Sequence, residues 1–151
     1  IRNPSATATS RDQGWRLSGA WAQGPWRVGA DVARLRYSES DAIDRPGKFR
    51  EYANAAAQVS AEYKWTNRLR MSANHARASA GRCSLSGGVS CSTQGLGGNH
   101  TSVGVMYRLT DIAHVFALAT HTRNLAGSQY GSSAQGANTN AYAFGVQLTE
   151  R

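Results

Sequence analysis

The sequence predicts an all-β protein, and within that class an antiparallel β-barrel that spans a membrane. Apolar and polar residues alternate with a period of two along most of the chain, which indicates strands with two chemically different faces. The connections alternate between short turns and long loops rich in Gly, Ser, Asn and Asp, as in membrane barrels. No stretch approaches the ~20 apolar residues of a membrane-spanning helix.

The composition argues against a helical soluble domain and against a disordered chain. Of 151 residues, 9% are aromatic and 16 are Gly, and the mean hydropathy is −0.48. Four Trp and six Tyr in regularly spaced segments argue against disorder. A formal charge of +8 usually favours a polyanionic partner, but the arginines are spread singly and form no basic run. Nucleic-acid binding is therefore not expected.

The first four strands are predicted over residues 15–22, 26–32, 54–65 and 68–76. Their apolar face is predicted to carry Trp15, Leu17, Trp21, Trp26, Val28, Ala30, Val32, Ala57, Val59, Ala61, Tyr63, Trp65, Leu69, Met71 and Ala73. Leu35 and Tyr37 fall on the opposite parity, which predicts a bulge or a strand end near Arg34. The Ala-rich stretch 53–61 fits a period of two better than 3.6, which favours strand over helix.

Three further strands are predicted over residues 102–109, 112–123 and 141–151. The alternation is clear in the first and last of them, which set Val103, Val105, Tyr107, Leu109, Tyr142, Phe144, Val146 and Leu148 on the apolar face. In the middle one, Ile112, Phe116 and Leu118 are expected to share a face. Short turns are predicted near 23–25, 66–67 and 110–111, and long loops over 38–51, 77–99 and 124–140.

The apolar face is expected to meet lipid acyl chains, and the opposite face a watery lumen. Aromatic residues stand at many strand ends, as a girdle at the lipid headgroups requires: Trp15, Trp26, Tyr63, Trp65, Tyr107 and Tyr142. The alternative is a soluble β-sandwich or a lipocalin-like barrel with the apolar face inside. The many Ala and Gly residues on that face would fill such a core poorly, so the sequence favours the membrane.

Cys83 and Cys91 lie in a Gly/Ser-rich loop with seven residues between them. A disulfide within this loop is the favoured interpretation, and it implies an oxidising compartment. Two unrelated reduced thiols are the alternative. Two cysteines cannot form a structural zinc site alone, and no histidine completes the usual spacing.

No catalytic, metal or cofactor site is predicted. The four histidines have no Asp and Ser partners at a recognisable spacing: His75, His100, His114 and His121. No phosphate-binding glycine motif occurs. The sequence therefore predicts a protein that is not an enzyme.

Residues 103–123 (VGVMYRLTDIAHVFALATHTR) and 141–151 (AYAFGVQLTER) resemble the penultimate hairpin and the final strand of Gram-negative general porins. The resemblance implies that residues 1–151 are the C-terminal part of one 16-stranded barrel domain, with residues 1–14 in a loop and 15–151 in strands and loops. About nine earlier strands would complete the barrel. It also implies an outer-membrane location, a homotrimer, contact with lipid and lipopolysaccharide, and passage of small hydrophilic solutes.

Strand parity places eight charged residues on the lumen side: Arg16, Arg27, Asp31, Glu62, Lys64, Arg68, Arg70 and Arg108. The porin resemblance implies that such charges line the pore and orient solutes. The excess of cations predicts a preference for anions. A structural or adhesive outer-membrane barrel, or the translocator domain of an autotransporter, is the alternative function.

Overall fold

A computed structural model describes residues 9–40, 46–89, 91–131 and 134–149. Within these ranges the secondary structure consists of eight β-strands and one 3-10 turn over Ser86–Gly88. The strands are β1 (Thr9–Gln23), β2 (Trp26–Ser40), β3 (Phe49–Lys64), β4 (Leu69–Ala78), β5 (Arg82–Leu85), β6 (Gly98–Arg108), β7 (Ala113–Asn124) and β8 (Thr139–Leu148). None of the described segments is a helix long and apolar enough to cross a membrane. The predicted all-β class is confirmed.

The strands form one antiparallel sheet in the order β1-β2-β3-β4-β6-β7-β8. The short strand β5 lies off this path and pairs with the first part of β3, beyond the end of β4. Over the described residues β1 and β8 do not pair with each other, so the sheet is open and each forms one edge.

The three predicted short turns are confirmed, and local hydrogen bonds explain two of them. Gly24 takes a positive φ of 57° between β1 and β2, a conformation that costs glycine little. The Thr66 hydroxyl accepts hydrogen bonds from the N–H groups of Arg68 and Leu69, at 3.1 and 3.0 Å. Thr110 accepts the N–H of Ala113 in the same way, at 3.0 Å. These turns lie at one end of the sheet, the short-turn end.

The strands extend further toward the opposite, long-loop end than the sequence predicted. The loop predicted over residues 1–14 is wrong for residues 9–14, which belong to β1, while residues 1–8 lie outside the described ranges. The bulge or strand end predicted near Arg34 is also wrong, because β2 pairs with β1 and β3 in unbroken register past this residue. The pattern changes at Arg34 because arginines occupy the next positions of the apolar face, while Leu35 and Tyr37 occupy those of the polar face. The hydrogen-bonded ladder continues through this change.

The loop predicted over residues 77–99 is also more ordered than expected. Its middle part forms β5, in which Cys83 is paired with Tyr52 of β3. The predicted disulfide between Cys83 and Cys91 is confirmed, with a Cα–Cα distance of 5.6 Å. The described part of the chain therefore contains eight strands, one more than the seven predicted.

The sheet has two chemically different faces and almost no interior. We call the face that carries Val28, Val59 and Val103 the apolar face, and the opposite one the polar face; cross-strand partners share a face. Among the described residues Ala53 is the one buried hydrophobic side chain, whereas Phe144 is 89% exposed. The large apolar side chains thus have no core within this part of the chain.

The apolar residues form a band that crosses the strands obliquely. The row of paired residues that starts at Val32 continues through Ala57 but reaches Arg77 on β4 and Arg123 on β7. At its other edge the band extends to Leu148 on β8. A horizontal apolar band across tilted strands gives this displacement, as in barrels whose strands incline by ~35–45°.

Candidate functional site

The polar face carries all eight residues that the sequence placed on the lumen side. Seven lie in strands with the same parity, in registered pairs such as Arg27 with Glu62 and Lys64 with Arg70. Arg68 precedes β4, and its carbonyl accepts the N–H of Arg108 at 2.8 Å, which continues the same register. The strand register therefore places these eight residues on one face, as predicted.

The cations concentrate at the short-turn end of the polar face. We call this group the basic cluster, and it consists of Arg27, Lys64, Arg68, Arg70 and Arg108. Two carboxylates lie beside it: Glu62 is 3.8 Å from Arg70 and Asp111 is 4.0 Å from Arg108. Five cations against two carboxylates leave a positive local field. Because these pairs are long and solvent-exposed, each contributes little to stability.

The opposite part of the polar face has a different charge balance. Arg16 is paired there with Asp31 at 2.9 Å, so its charge is largely compensated. Asp12 and Glu39 also belong to the polar face of β1 and β2. The sequence analysis missed both because it began the first strand too late, at residue 15, and ended the second too early, at residue 32. The positive field is thus confined to the short-turn end instead of filling the whole face.

The floor between these charges is made of small side chains. Gly29 lies opposite Ser60, and Gly104 lies opposite Ser72. A Cβ atom on Gly29 would come within 2.9 Å of the Ser60 hydroxyl, so a larger residue here would require that hydroxyl to move. A cavity of about 310 Å³ lies over this floor, and its lining includes Arg27 and Glu62. The cavity therefore lies directly beside the side chain of Arg27.

The β6–β8 side of the polar face is more apolar than the sequence suggested. Phe116 and Leu118 share a face as predicted, but it is the polar face, where they are paired with Met106 and Gly104. The ring of Phe116 lies against Gly145, about 3.0 Å from where a Cβ atom would stand. Both faces of β7 contain apolar residues, so the sequence alone could not assign its faces.

A second group of cations lies on the apolar face, and sequence reasoning missed it. We call it the arginine rim: it lies at the long-loop end and comprises Arg11, Arg34, Arg36, Arg77, Arg82 and Arg123. All six are exposed. The sequence did indicate part of this group, because Arg34 and Arg36 alternate in phase with Val32 and so lie on the same face. The change of pattern at Arg34 was instead interpreted as a bulge or a strand end.

Two of the four histidines form hydrogen bonds across the apolar face of the sheet. His75 is hydrogen-bonded to Thr101 at 2.8 Å, and His121 to Asn140 at 2.7 Å, both between neighbouring strands on the apolar face. In the part of the chain that the structure describes, no three His, Cys, Asp or Glu side chains are grouped to hold a metal ion.

Comparisons of the chain with protein-family models, with curated proteins and with solved structures found no match.

Proposed function

We propose that this sheet is part of the wall of an outer-membrane β-barrel, a porin-type channel for passive diffusion of small hydrophilic solutes with a preference for anions. One observation carries the proposal: a sheet with an exposed, continuous apolar band on one face and a predominantly polar opposite face. Lipid acyl chains would cover the first face, and pore water the second.

The aromatic side chains support a membrane rather than a soluble partner. Trp26, Tyr63 and Trp65 form a cluster at the short-turn edge of the band, with ring centroids 4.6 and 5.1 Å apart. Trp15 lies in the middle of β1 but at the opposite edge of the band. An aromatic cluster at one edge of the band and a tryptophan at the other fit the two headgroup layers of a bilayer.

Additional strands would complete the barrel at the two open edges. In the described ranges, the outer edges of β1 and β8 present backbone groups without a strand partner, and such groups cannot remain unpaired in hydrocarbon. The porin resemblance suggests 16 strands and a homotrimer. The apolar face of β3 carries the small side chains of Ala55, Ala57 and Ala61, which would allow two barrels to pack closely together.

The basic cluster would set the anion preference. A ring of fixed positive charge raises the local anion concentration, and salt weakens this effect over a Debye length of ~10 Å at 0.1 M. Because the positive field is limited to the short-turn end, we expect a moderate preference.

A structural or adhesive barrel is the second candidate, and the apolar patch of Met106, Phe116 and Leu118 on the polar face favours it. Such residues fill the interior of narrow barrels, which conduct poorly. The structural candidate therefore predicts a closed pore.

Planar lipid bilayers distinguish these two functions. The protein, extracted from membranes with its complete barrel, should produce stepwise conductance increases, with a reversal potential in a salt gradient that indicates anion preference. Insertion without conductance would favour the structural barrel. Cation preference that persists at low salt would show that the basic cluster does not control the pore.

A further inference from the structure

We propose that a cavity at the long-loop end of the polar face binds a small organic cation with an aromatic body. We call this cavity the aromatic pocket. It has a volume of about 690 Å³, and its lining includes Asp12, Tyr37, Phe49, Tyr52, Cys83 and Cys91. Its position at one mouth of a channel rests on the proposed function, whereas the binding site itself rests on these side chains.

The strand register builds the floor of the aromatic pocket. Asp12 is paired with Tyr37, and Tyr37 in turn with Tyr52. Tyr52 is paired with Cys83, so one row of side chains crosses β1, β2, β3 and β5 on the polar face. Because neighbouring strands lie ~4.8 Å apart, the backbones of Asp12 and Tyr52 are ~10 Å from each other. A benzene ring with a charged substituent can lie along this row, with its charge toward Asp12.

The aromatic side chains are held in place before any ligand binds. The rings of Tyr37 and Phe49 lie against each other, with their centroids 5.5 Å apart. The Tyr37 hydroxyl donates a hydrogen bond to Glu39, and the Tyr52 hydroxyl donates one to the carbonyl of Ala80 at 3.3 Å. A preformed site loses little side-chain freedom on binding, which favours affinity.

The segment that follows β5 forms a wall of the pocket. The disulfide joins Cys83 of the floor to Cys91, and Thr93 and Leu96 line the pocket just beyond it. The Thr93 hydroxyl donates a hydrogen bond to the carbonyl of Gly81 at 2.9 Å, and the Thr93 carbonyl accepts the N–H of Leu96 at 3.0 Å. The pocket thus has ordered walls and a volume within the range of ~300–1,000 Å³ that is typical of small-molecule sites.

The charge of the lining favours a cation. Among the lining residues in the described ranges, Asp12 alone carries a formal charge at neutral pH. Lys48 and Arg50 flank Phe49 in the chain, yet neither lines the pocket. Aromatic faces attract cations through the negative potential of their π-systems, and a carboxylate adds a direct attraction. An organic anion would gain neither interaction.

The two ends of the polar face therefore favour opposite charges. The basic cluster at the short-turn end repels the cation that the aromatic pocket attracts. Arg16 lies on the same face between the two regions, and its charge is largely compensated by Asp31 at 2.9 Å. An organic cation is thus held at the long-loop end instead of moving toward the basic cluster.

The test measures binding to the complete protein in detergent at low salt, by ligand-observed NMR. The probe is benzyltrimethylammonium. Of the three comparison compounds, tetramethylammonium lacks the ring, benzyl alcohol lacks the charge, and benzenesulfonate reverses it. We expect the probe to bind at least about fivefold more tightly than each of them, since one exposed cation–π contact corresponds to about that factor.

Two variants remove the two parts of the site separately. Asp12→Asn should weaken binding of the probe about threefold, because an exposed ion pair contributes about that factor. Tyr52→Leu should weaken it about fivefold through the lost aromatic face. The matched controls are Glu51→Gln, next to Tyr52 in the chain but on the apolar face, and Tyr142→Leu on the apolar face of β8. Both controls should bind the probe as the wild type does.

Several outcomes would overturn the proposal. Equal binding of tetramethylammonium or of benzyl alcohol would show that the charge or the ring alone is recognised. Equal or tighter binding of benzenesulfonate would assign the binding to the basic cluster. Unchanged binding in both variants would place the site elsewhere, and if a variant fails to fold, the four compounds still decide on the wild type. The measurement needs no conduction, so a protein that binds the probe without conducting contradicts the channel alone, whereas a conducting protein that does not bind it contradicts the pocket alone.

Discussion

The two ends of the sheet place arginine on opposite faces. At the short-turn end the guanidinium groups of Arg27, Arg68 and Arg70 belong to the polar face, beside Glu62. At the long-loop end Arg34 and Arg77 lie on the apolar face, with no carboxylate partner in the described ranges. Both ends follow the same alternation of side chains, so the position along the strand decides which face tolerates a charge. Within the apolar band that face holds none, and beyond the band it holds six arginines.

The largest expected effect comes from an arginine placed inside the apolar band, because the two ends of the sheet carry arginine only outside this band on that face. Val103→Arg puts a charge on the apolar face of β6, where Val103 lies between Ala73 and Ala119. We expect a loss of about 2–4 kcal/mol in the free energy of folding into lipid. The measurement is urea unfolding of the protein in vesicles. The adjacent Ser102→Arg, on the polar face, is the control and should cost less than about 1 kcal/mol; equal losses would contradict the assigned faces.

The long-loop end also has a covalent crosslink, which the short-turn end lacks. Replacing Cys83 and Cys91 with Ser should destabilise the segment from β5 to β6 by about 2–3 kcal/mol, because the closed loop is short. Limited proteolysis of residues 79–97 reports this local opening. Reduced wild type should behave as the double variant does. Unchanged protection in both would show that strand pairing alone holds the segment.

Two of the three short turns depend on single hydroxyl groups instead. Thr66→Val removes the acceptor for the N–H groups of Arg68 and Leu69, with an expected loss of about 1 kcal/mol. Thr66→Ser keeps the acceptor and should retain most of the stability. Denaturant midpoints of the two variants test this, and identical midpoints would assign the stability of the turn to its backbone.

The smallest expected effect separates the two groups of cations by function. Neutralising Arg27, Arg68 and Arg70 to Gln should lower the anion-to-cation permeability ratio about two- to threefold, because long-range charge effects in water are weak. The measurement is the reversal potential in a salt gradient at low ionic strength. A larger change on neutralising Arg34, Arg77 and Arg123 would mean that the rim, and not the basic cluster, faces the pore.

The sequence predicted most of the sheet because a strand with one apolar and one polar face shows alternating residue types along the chain. It located all three short turns, the pairing of Cys83 with Cys91, and the faces of β6 and β8, where large aliphatic residues alternate with small or polar ones. It also grouped the candidate pore-lining residues, from Arg16 to Arg108, on one face. The porin identity and the trimer remain predictions.

The remainder could not be predicted for physical reasons. Beyond Val32 the apolar face of β2 carries arginines, and the polar face carries Leu35 and Tyr37. The alternation of apolar and polar residues therefore no longer indicates a strand, although the backbone ladder continues to Ser40. Strand β5 is four residues long and gains its order from β3 and the disulfide, which are non-local. In β7 the Ala residues lie on the apolar face, whereas Phe116 and Leu118 lie on the polar face. Hydrophobicity alone would therefore assign the two faces of this strand the wrong way round.

The most direct test of the two-faced membrane wall is a scan of spin labels along β6, from Ser102 to Tyr107, in the complete barrel in lipid vesicles. Collisions with lipid-soluble oxygen should be maximal at Val103, Val105 and Tyr107, and collisions with a water-soluble nickel complex should be maximal at the positions between them. This period of two is the result we predict. Apolar positions that are shielded from both reagents would place that face inside a protein core, and the membrane wall would be contradicted.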